Sequence, residues 1–300
     1  MNLYSQKDSN IRKTWLLMTG FFLFVIVFGW LISYVWQAPE ILYFAVILSI
    51  GMNLLAYWKS DSIALAMSHA KPISREGNEY VYRMVENLSI TAGLPTPRIY
   101  LMDSPQINAF ATGRNPEHAA VAITTGAIQK LQNEELEGVL AHELSHIGNR
   151  DILISTVVVV LAGLISILSD VILRATFFGH RDRDDRQGGG VLLLIGLVAV
   201  ILAPIASTLI QLAVSRKREF LADASGALLT RYPDGLARAL EKIAGDSNPM
   251  HYAHSGTAHL FISNPFRGKD GVSWFTKLFS THPPIEERIA ILRGMKIQNG

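Results

Sequence analysis

The chain has 300 residues, 27 Lys and Arg against 25 Asp and Glu, a net charge of +2, 49% hydrophobic and only 17% charged residues, and a mean hydropathy of +0.26. So few charges, against ~25% in ordinary soluble domains, argue against a wholly soluble chain, and the near-neutral balance argues against nucleic acid as a partner. The absence of cysteine excludes disulfides and thiolate metal ligands and fits a reducing compartment.

The first apolar run, Trp15 to Trp36, carries no charge over 22 residues. At 1.5 Å per residue it can cross a hydrocarbon core of ~30 Å. Trp15, Trp30, Tyr34 and Trp36 suit the interfacial belts. Lys7, Arg12 and Lys13 precede it as in a signal peptide, but the run is too long for one and Gln37-Ala38-Pro39-Glu40 offers no cleavage site, so an uncleaved anchor is expected. Ile41 to Trp58 is a second span, close enough to form a hairpin with the first. The positive-inside rule places the N-terminus, and then the segment from about Ser60 to Asp151, in the cytosol.

Val81, Met84, Val85 and Leu88 have the spacing of an amphipathic helix, which Gly93-Leu94-Pro95-Thr96-Pro97 ends. Short strands are expected at about 98–102, 107–111 and 119–124. Asn108-Ala109-Phe110 lies in the second of these. As an edge strand beside a cleft it could bind an extended substrate through main-chain hydrogen bonds, with Asn108, Ala109 and Phe110 in contact. A plain sheet strand is the competing reading.

Asn133-Glu134-Glu135-Leu136 opens a helix with acidic residues in its first turn, where the dipole favours them. That helix carries His142-Glu143-Leu144-Ser145-His146, an HExxH pattern. Residues i and i+4 share a helix face, so His142 and His146 can both reach one Zn²⁺ at about 2.0–2.1 Å. Glu143 stands beside the metal, placed to take a proton from a water whose pKa zinc lowers to about 7. Random ordering would give the pattern in roughly one chain in a hundred, so it needs independent support.

Apolar runs follow from Ile152 to Leu173 and from Val191 to Val214, the second with Pro204 inside it. Both are long for buried soluble helices, and a second membrane hairpin is expected. The zinc-motif helix is expected to continue unbroken into the first of them. The connection between them carries Arg181, Arg183 and Arg186 on the side the positive-inside rule would leave poor in arginine. Beyond the hairpin, Glu219 and Asp223 are again i and i+4. Glu219 is the candidate third zinc ligand, and Asp223 is placed to accept a hydrogen bond from the non-metal nitrogen of a ligating imidazole.

Two N-terminal spans, a segment ending in HELSH, two more apolar runs and then Glu219-Phe220-Leu221-Ala222-Asp223 resemble the HtpX-type membrane metallopeptidases, relatives of the CAAX prenyl protease. Asn108-Ala109-Phe110-Ala111-Thr112-Gly113 and Thr281-His282-Pro283-Pro284 with Glu287-Arg288 match as well. The resemblance covers nearly the whole chain. It implies a zinc endopeptidase of the bacterial inner membrane, acting in quality control of damaged or misfolded membrane proteins under stress. His282, partly on that resemblance, is a candidate oxyanion donor opposite Glu143.

His251, His254 and His259 read as a solvated or mobile surface loop that could lie over the cleft; a separate metal site is the less favoured reading. Gly188-Gly189-Gly190 is a turn and not a phosphate loop, since no Lys-Ser/Thr follows. The expected architecture is a mainly α membrane protein with about four transmembrane helices in two hairpins, residues 1–59 and 152–214. A cytosolic zincin-like α+β catalytic domain with a small sheet is built from 60–151 and 215–300. Its one Zn²⁺, protein substrates and lipid bilayer follow from that reading. A membrane scaffold with structural zinc is the main competitor, but such a site normally has four protein ligands and only three are in view. A transporter is disfavoured by the scarcity of charges within the spans.

Overall fold

Two long helices, α1 (Leu3–Trp36) and α2 (Glu40–Trp58), form an antiparallel hairpin whose turn places Gln37 at a φ of 52°. The computed structural model describes residues 3–161, 165, 215–250, 257–263, 265 and 283–295. Within those, Asp8–Leu31 and Glu40–Trp58 are long and apolar enough to cross a membrane. Leu16, Leu23, Phe44 and Ile47 point outward, more than half exposed. Met18, Phe21, Met52 and Ala56 turn inward and pack on Leu153, Val157 and Leu161. An apolar rim around an apolar interior is what a helix in lipid requires.

α3 (Ser60–Met67) leads from the hairpin into a mixed sheet. Its strands are β1 (Lys71–Pro72), β2 (Arg98–Met102), β3 (Ala109–Thr112) and β4 (Ala120–Thr124), in the order β1-β2-β4-β3. β2 runs parallel to β4, and the outer pairs are antiparallel. Every residue of β3 and β4 is buried, as expected of strands covered on both faces. α4 (Glu79–Ala92) is capped by the Asn78 side chain, which accepts from Val81 N–H, and is closed by Gly93 in the left-handed conformation.

α5 (Thr125–Lys130) is followed by α6 (Asn133–Gly148), the helix around which the rest is arranged. From Gly138 to Ser145 every residue is buried, so HELSH sits inside the protein and not on an exposed helix. α6 does not continue into the next apolar run. It bends by 84° into α7 (Asp151–Leu161). The break is at Asn149 and Arg150, the latter at a φ of 59°, with their N–H groups turned back to Ser145 O and Ile147 O. A left-handed residue cannot extend a right-handed helix, so the expectation of one unbroken helix is corrected. The rest of that run beyond Leu161, apart from Ile165, and all of the 191–214 run and its Arg-rich connection, lie outside the described residues.

α8 (Arg216–Thr230), α9 (Pro233–Gly245) and α10 (Ile285–Gly294) complete the fold, with α8 and α9 laid against α6. Two glycines permit the close approach. A Cβ on Gly226 of α8 would lie 3.0 Å from His142 N, and one on Gly138 of α6 would lie 2.7 Å from Leu236 N. Backbone on the far side leaves no flexible atom to give way. Gly226→Val should therefore separate α8 from α6, cost about 1–3 kcal/mol as overpacking does, and weaken metal binding as well. Thermal unfolding and zinc titration of the purified variant check both effects.

Candidate active site

Two i, i+4 pairs meet where α8 crosses α6. His142 and His146 project from α6, Glu219 and Asp223 from α8, and both acidic residues are buried. On α8 the face Glu219-Ala222-Asp223-Gly226 carries carboxylates and small residues only, which lets it lie flat on the imidazole face of α6. His142 Nε2 and His146 Nε2 are 3.1 Å apart, His146 Nε2 to Glu219 Oε1 is 3.6 Å, and His142 Nε2 to Glu219 Oε2 is 3.9 Å. Tetrahedral zinc with bonds of about 2.0–2.1 Å separates its ligands by about 3.3 Å. The three distances bracket that value, and two imidazoles with one carboxylate form a set typical of a catalytic zinc.

The outward nitrogens are held as well. His142 Nδ1 donates to Asp223 Oδ1 at 2.9 Å. Asp223 is gripped in turn by Arg288 of α10, with Nε to Oδ2 at 2.8 Å and Nη2 to Oδ1 at 2.7 Å. Arg288 is fully buried. His146 Nδ1 donates to Asp151 Oδ2 at 3.1 Å, and Asp151 is the first residue of α7. Both imidazoles are thereby fixed in the tautomer that turns Nε2 toward the common point.

Burial lowers the pKa of His142 despite its bond to Asp223, which keeps it a neutral ligand. Burial works the same way on His146, but the hydrogen bond to Asp151 and the charges of Glu219, Asp151 and Glu143 outweigh it and raise that imidazole to about 9. Burial pushes the Glu143 carboxyl up to about 7, and the Glu219 charge adds to this; His146, Ala111 N–H and Arg288 oppose it. A divalent cation among these groups would reverse the trend at Glu143.

The cleft at this point is lined by Ala111, Glu143, Ile152, Ser155, His259 and Ile262 among others. Of the predicted substrate contacts, Asn108 is 1% exposed and its side chain is fully engaged. Nδ2 donates to Gln106 Oε1 and Ser263 O, and Oδ1 accepts from Ala109 N–H and Ser263 N–H. Phe110 turns from the cleft and packs edge-to-face on Phe261. Ala109 O accepts from Ile262 N–H, so part of the outer edge of β3 is already paired, while Ala111 stands on the cleft wall. His251, His254 and His282 lie outside the described residues. His259 is not on a solvated surface loop. It is 4% exposed in a short 3₁₀ turn on the cleft wall, its Nε2 3.2 Å from Ser155 O.

Sequence reading missed two of these groups. Asp151 reads as the last residue before an apolar run, and Arg288 as a structural residue of a C-terminal helix. Neither shares a helical repeat with the residue it supports. A buried metal-site imidazole that needs a carboxylate partner was the available signal, and it does not say which carboxylate.

Two membrane-competent helices beside a buried His-His-Glu cluster, with a glutamate at the second position of HExxH, define a membrane metallopeptidase. The model of peptidase family M48 matches residues 75–296, and the chain belongs to that family. A protease HtpX homologue of Caldanaerobacter subterraneus is 46% identical over 302 residues, covering 98% of each chain. Another, from Syntrophobacter fumaroxidans, is 51% identical over 255 residues, covering 84% of this chain and 88% of its own. The crystal structure of S. mikatae Ste24p covers 96% of this chain and 67% of its own at 18% identity with a TM-score of 0.48, too slight a likeness to build on.

Proposed function

We propose that this chain is a zinc-dependent endopeptidase of the bacterial inner membrane that hydrolyses misfolded or damaged membrane proteins at the cytosolic face. The observation that carries the peptidase reading is the convergence of His142, His146 and Glu219 on one point with Glu143 beside it. His142, His146 and Glu219 would hold the metal, and Asp223 would orient His142. When bound, zinc supplies acidification of a water and polarisation of the scissile carbonyl. Glu143 takes the proton from the attacking water and returns it to the leaving amine. Its burial and the Ala111 N–H keep its carboxylate in one orientation. His282 is proposed as the donor to the developing oxyanion. The substrate strand is proposed to run past Asn108-Ala109-Phe110 and to meet the main chain of β3 at Ala111, since Ala109 N–H and O and the Asn108 side chain are already paired.

The proposed topology has four spans, two hairpins of residues 1–59 and 152–214, and both termini in the cytosol. The halves of the catalytic domain, 60–151 and 215–300, come together through α6 and α8. The apolar rim of α1 and α2 supports the bilayer as a partner. The test is cleavage of an unfolded protein by the full-length chain in detergent. Cleavage should stop with a chelator and return with zinc. A zinc-loaded chain that binds unfolded protein without cutting it would replace this reading with that of a binder.

Metal uptake should also be pH-dependent. His146, raised to about 9, holds a proton at pH 7 in the metal-free site, and a ligand must lose it. Zinc affinity should rise from pH 6 toward pH 9, by up to tenfold per pH unit, and then level off. Calorimetry in buffers of different ionisation enthalpy should show at least one proton released per zinc at pH 7, from His146, with a further fraction from Glu143.

A further inference from the structure

Asn10 lies in the first membrane helix, far from the motif residues in sequence, yet it is completely buried at their level. Its Nδ2 donates to Asp151 Oδ1 at 2.6 Å and to Asn149 O at 3.2 Å. The other oxygen of Asp151 is the one that holds His146 Nδ1. The amide therefore stands third in a line that runs from Asn10 through Asp151 and His146 to the shared ligand point. One turn further along α1, Thr14 Oγ1 donates back to the Asn10 carbonyl.

Further along α1 the buried side chains are apolar, Met18 and Phe21, whereas Asn10 meets the polar break between α6 and α7. An amide moved from water to an apolar interior costs about 1–3 kcal/mol unless it is hydrogen-bonded, so its partners have to account for it. Both partners are acceptors, which fixes the amide one way round. Asn10 Oδ1 has no hydrogen-bond donor among the described residues, so the two bonds from Nδ2 are the ones that hold the amide. Arg218 Nε also faces Asp151 Oδ1, at 3.7 Å. The Asn10 amide is much the closer of the two groups.

We infer that Asn10 is a positioning residue of the metal centre, contributed by the first membrane helix. It locks the Asp151 carboxylate, which fixes the tautomer and ring plane of His146. The centre is then complete only while α1 is seated against the α6–α7 bend. The inference rests on the proposed zinc site.

The test uses the full-length chain in detergent, stripped of metal and titrated with zinc against a chromophoric chelator; thermal unfolding is measured on the same metal-free samples. Asn10→Leu should lower zinc affinity roughly 10- to 100-fold, the range for loss of such an outer partner. Asn10→Asp should lower it at least as far, because two carboxylates would then face each other. Asp151→Asn should lower it too. The exchange variant Asn10→Asp with Asp151→Asn should recover affinity relative to Asn10→Asp alone. In it the amide nitrogen at position 151 would donate to the carboxylate at position 10, while the amide oxygen accepts from His146. Thr14→Val, which alters the same helix without touching Asp151, should leave affinity unchanged.

Wild-type zinc affinity in Asn10→Leu or Asn10→Asp overturns the inference. So does an exchange variant whose loss equals the product of the two single losses, which would make Asn10 a helix contact only. If Asn10→Leu does not fold, Asn10→Asp and the exchange pair decide. A wild-type chain that takes up no zinc removes the metal-site reading itself, a result distinct from either.

Discussion

Glu143→Gln should keep its zinc and lose peptidase activity by about 10²- to 10⁴-fold, the range over which a positioned general base acts. Glutamine has nearly the same shape, and its carbonyl oxygen can accept from Ala111 N–H as the carboxylate does. His142, His146 and Glu219 keep their own supports through Asp223, Asp151 and Arg288. Only the capacity to take and return a proton is removed. Zinc content and the rate of cleavage of an unfolded protein are the two measurements. A metal-loaded variant cutting at the wild-type rate would exclude Glu143 as the base.

Arg288→Met should destabilise the folded chain by about 3–5 kcal/mol, the cost of leaving one member of a buried ion pair alone. The guanidinium meets both oxygens of Asp223 and is fully buried, so neither water nor another cation replaces it. Arg288→Lys keeps the charge but not the two-pronged geometry and should fall between the two. Adding Asp223→Asn to Arg288→Met should recover part of the loss, since no charge is then stranded. The unfolding midpoint of the purified chains reads all three. Burial alone would raise the Asp223 pKa; the Arg288 charge and the His142 hydrogen bond outweigh it and hold it at about 2, below its ordinary 3.8. A depressed carboxyl stabilises above its unfolded pKa, so this contribution is full above about pH 4 and lost as pH falls through about 2. In Arg288→Met the loss should begin at higher pH.

The His142, His146 and Glu219 cluster was legible because helices repeat. His142 with His146 and Glu219 with Asp223 each declare a common face, and the expected second hairpin supplied a reason for the faces to meet. β2 and β4 were legible to within a residue through their apolar runs, and β3 to within two. β1 was not, because two exposed residues, Lys71 and Pro72, carry no pattern. The α6–α7 break did have a signal in Gly148-Asn149, a usual helix stop, which the apolar residues after Asp151 masked. Asp151, Arg288 and Asn10 were invisible for a different reason. Each supports the site from another element, and the sequence spacing between such partners has no period.

Under the proposed function, the bend at Asn149 and Arg150 would also constrain where a substrate can be cut. α7 packs against α1 and α2, while α6 leaves it at 84°. Were α7 to stand upright in the bilayer, as the proposed topology has it, α6 would lie nearly level with the membrane surface. His142, Glu143 and His146 would then share a single depth. Scission would be selected by height above the lipid more than by side-chain identity, and any chain drawn to that plane in extended form would qualify.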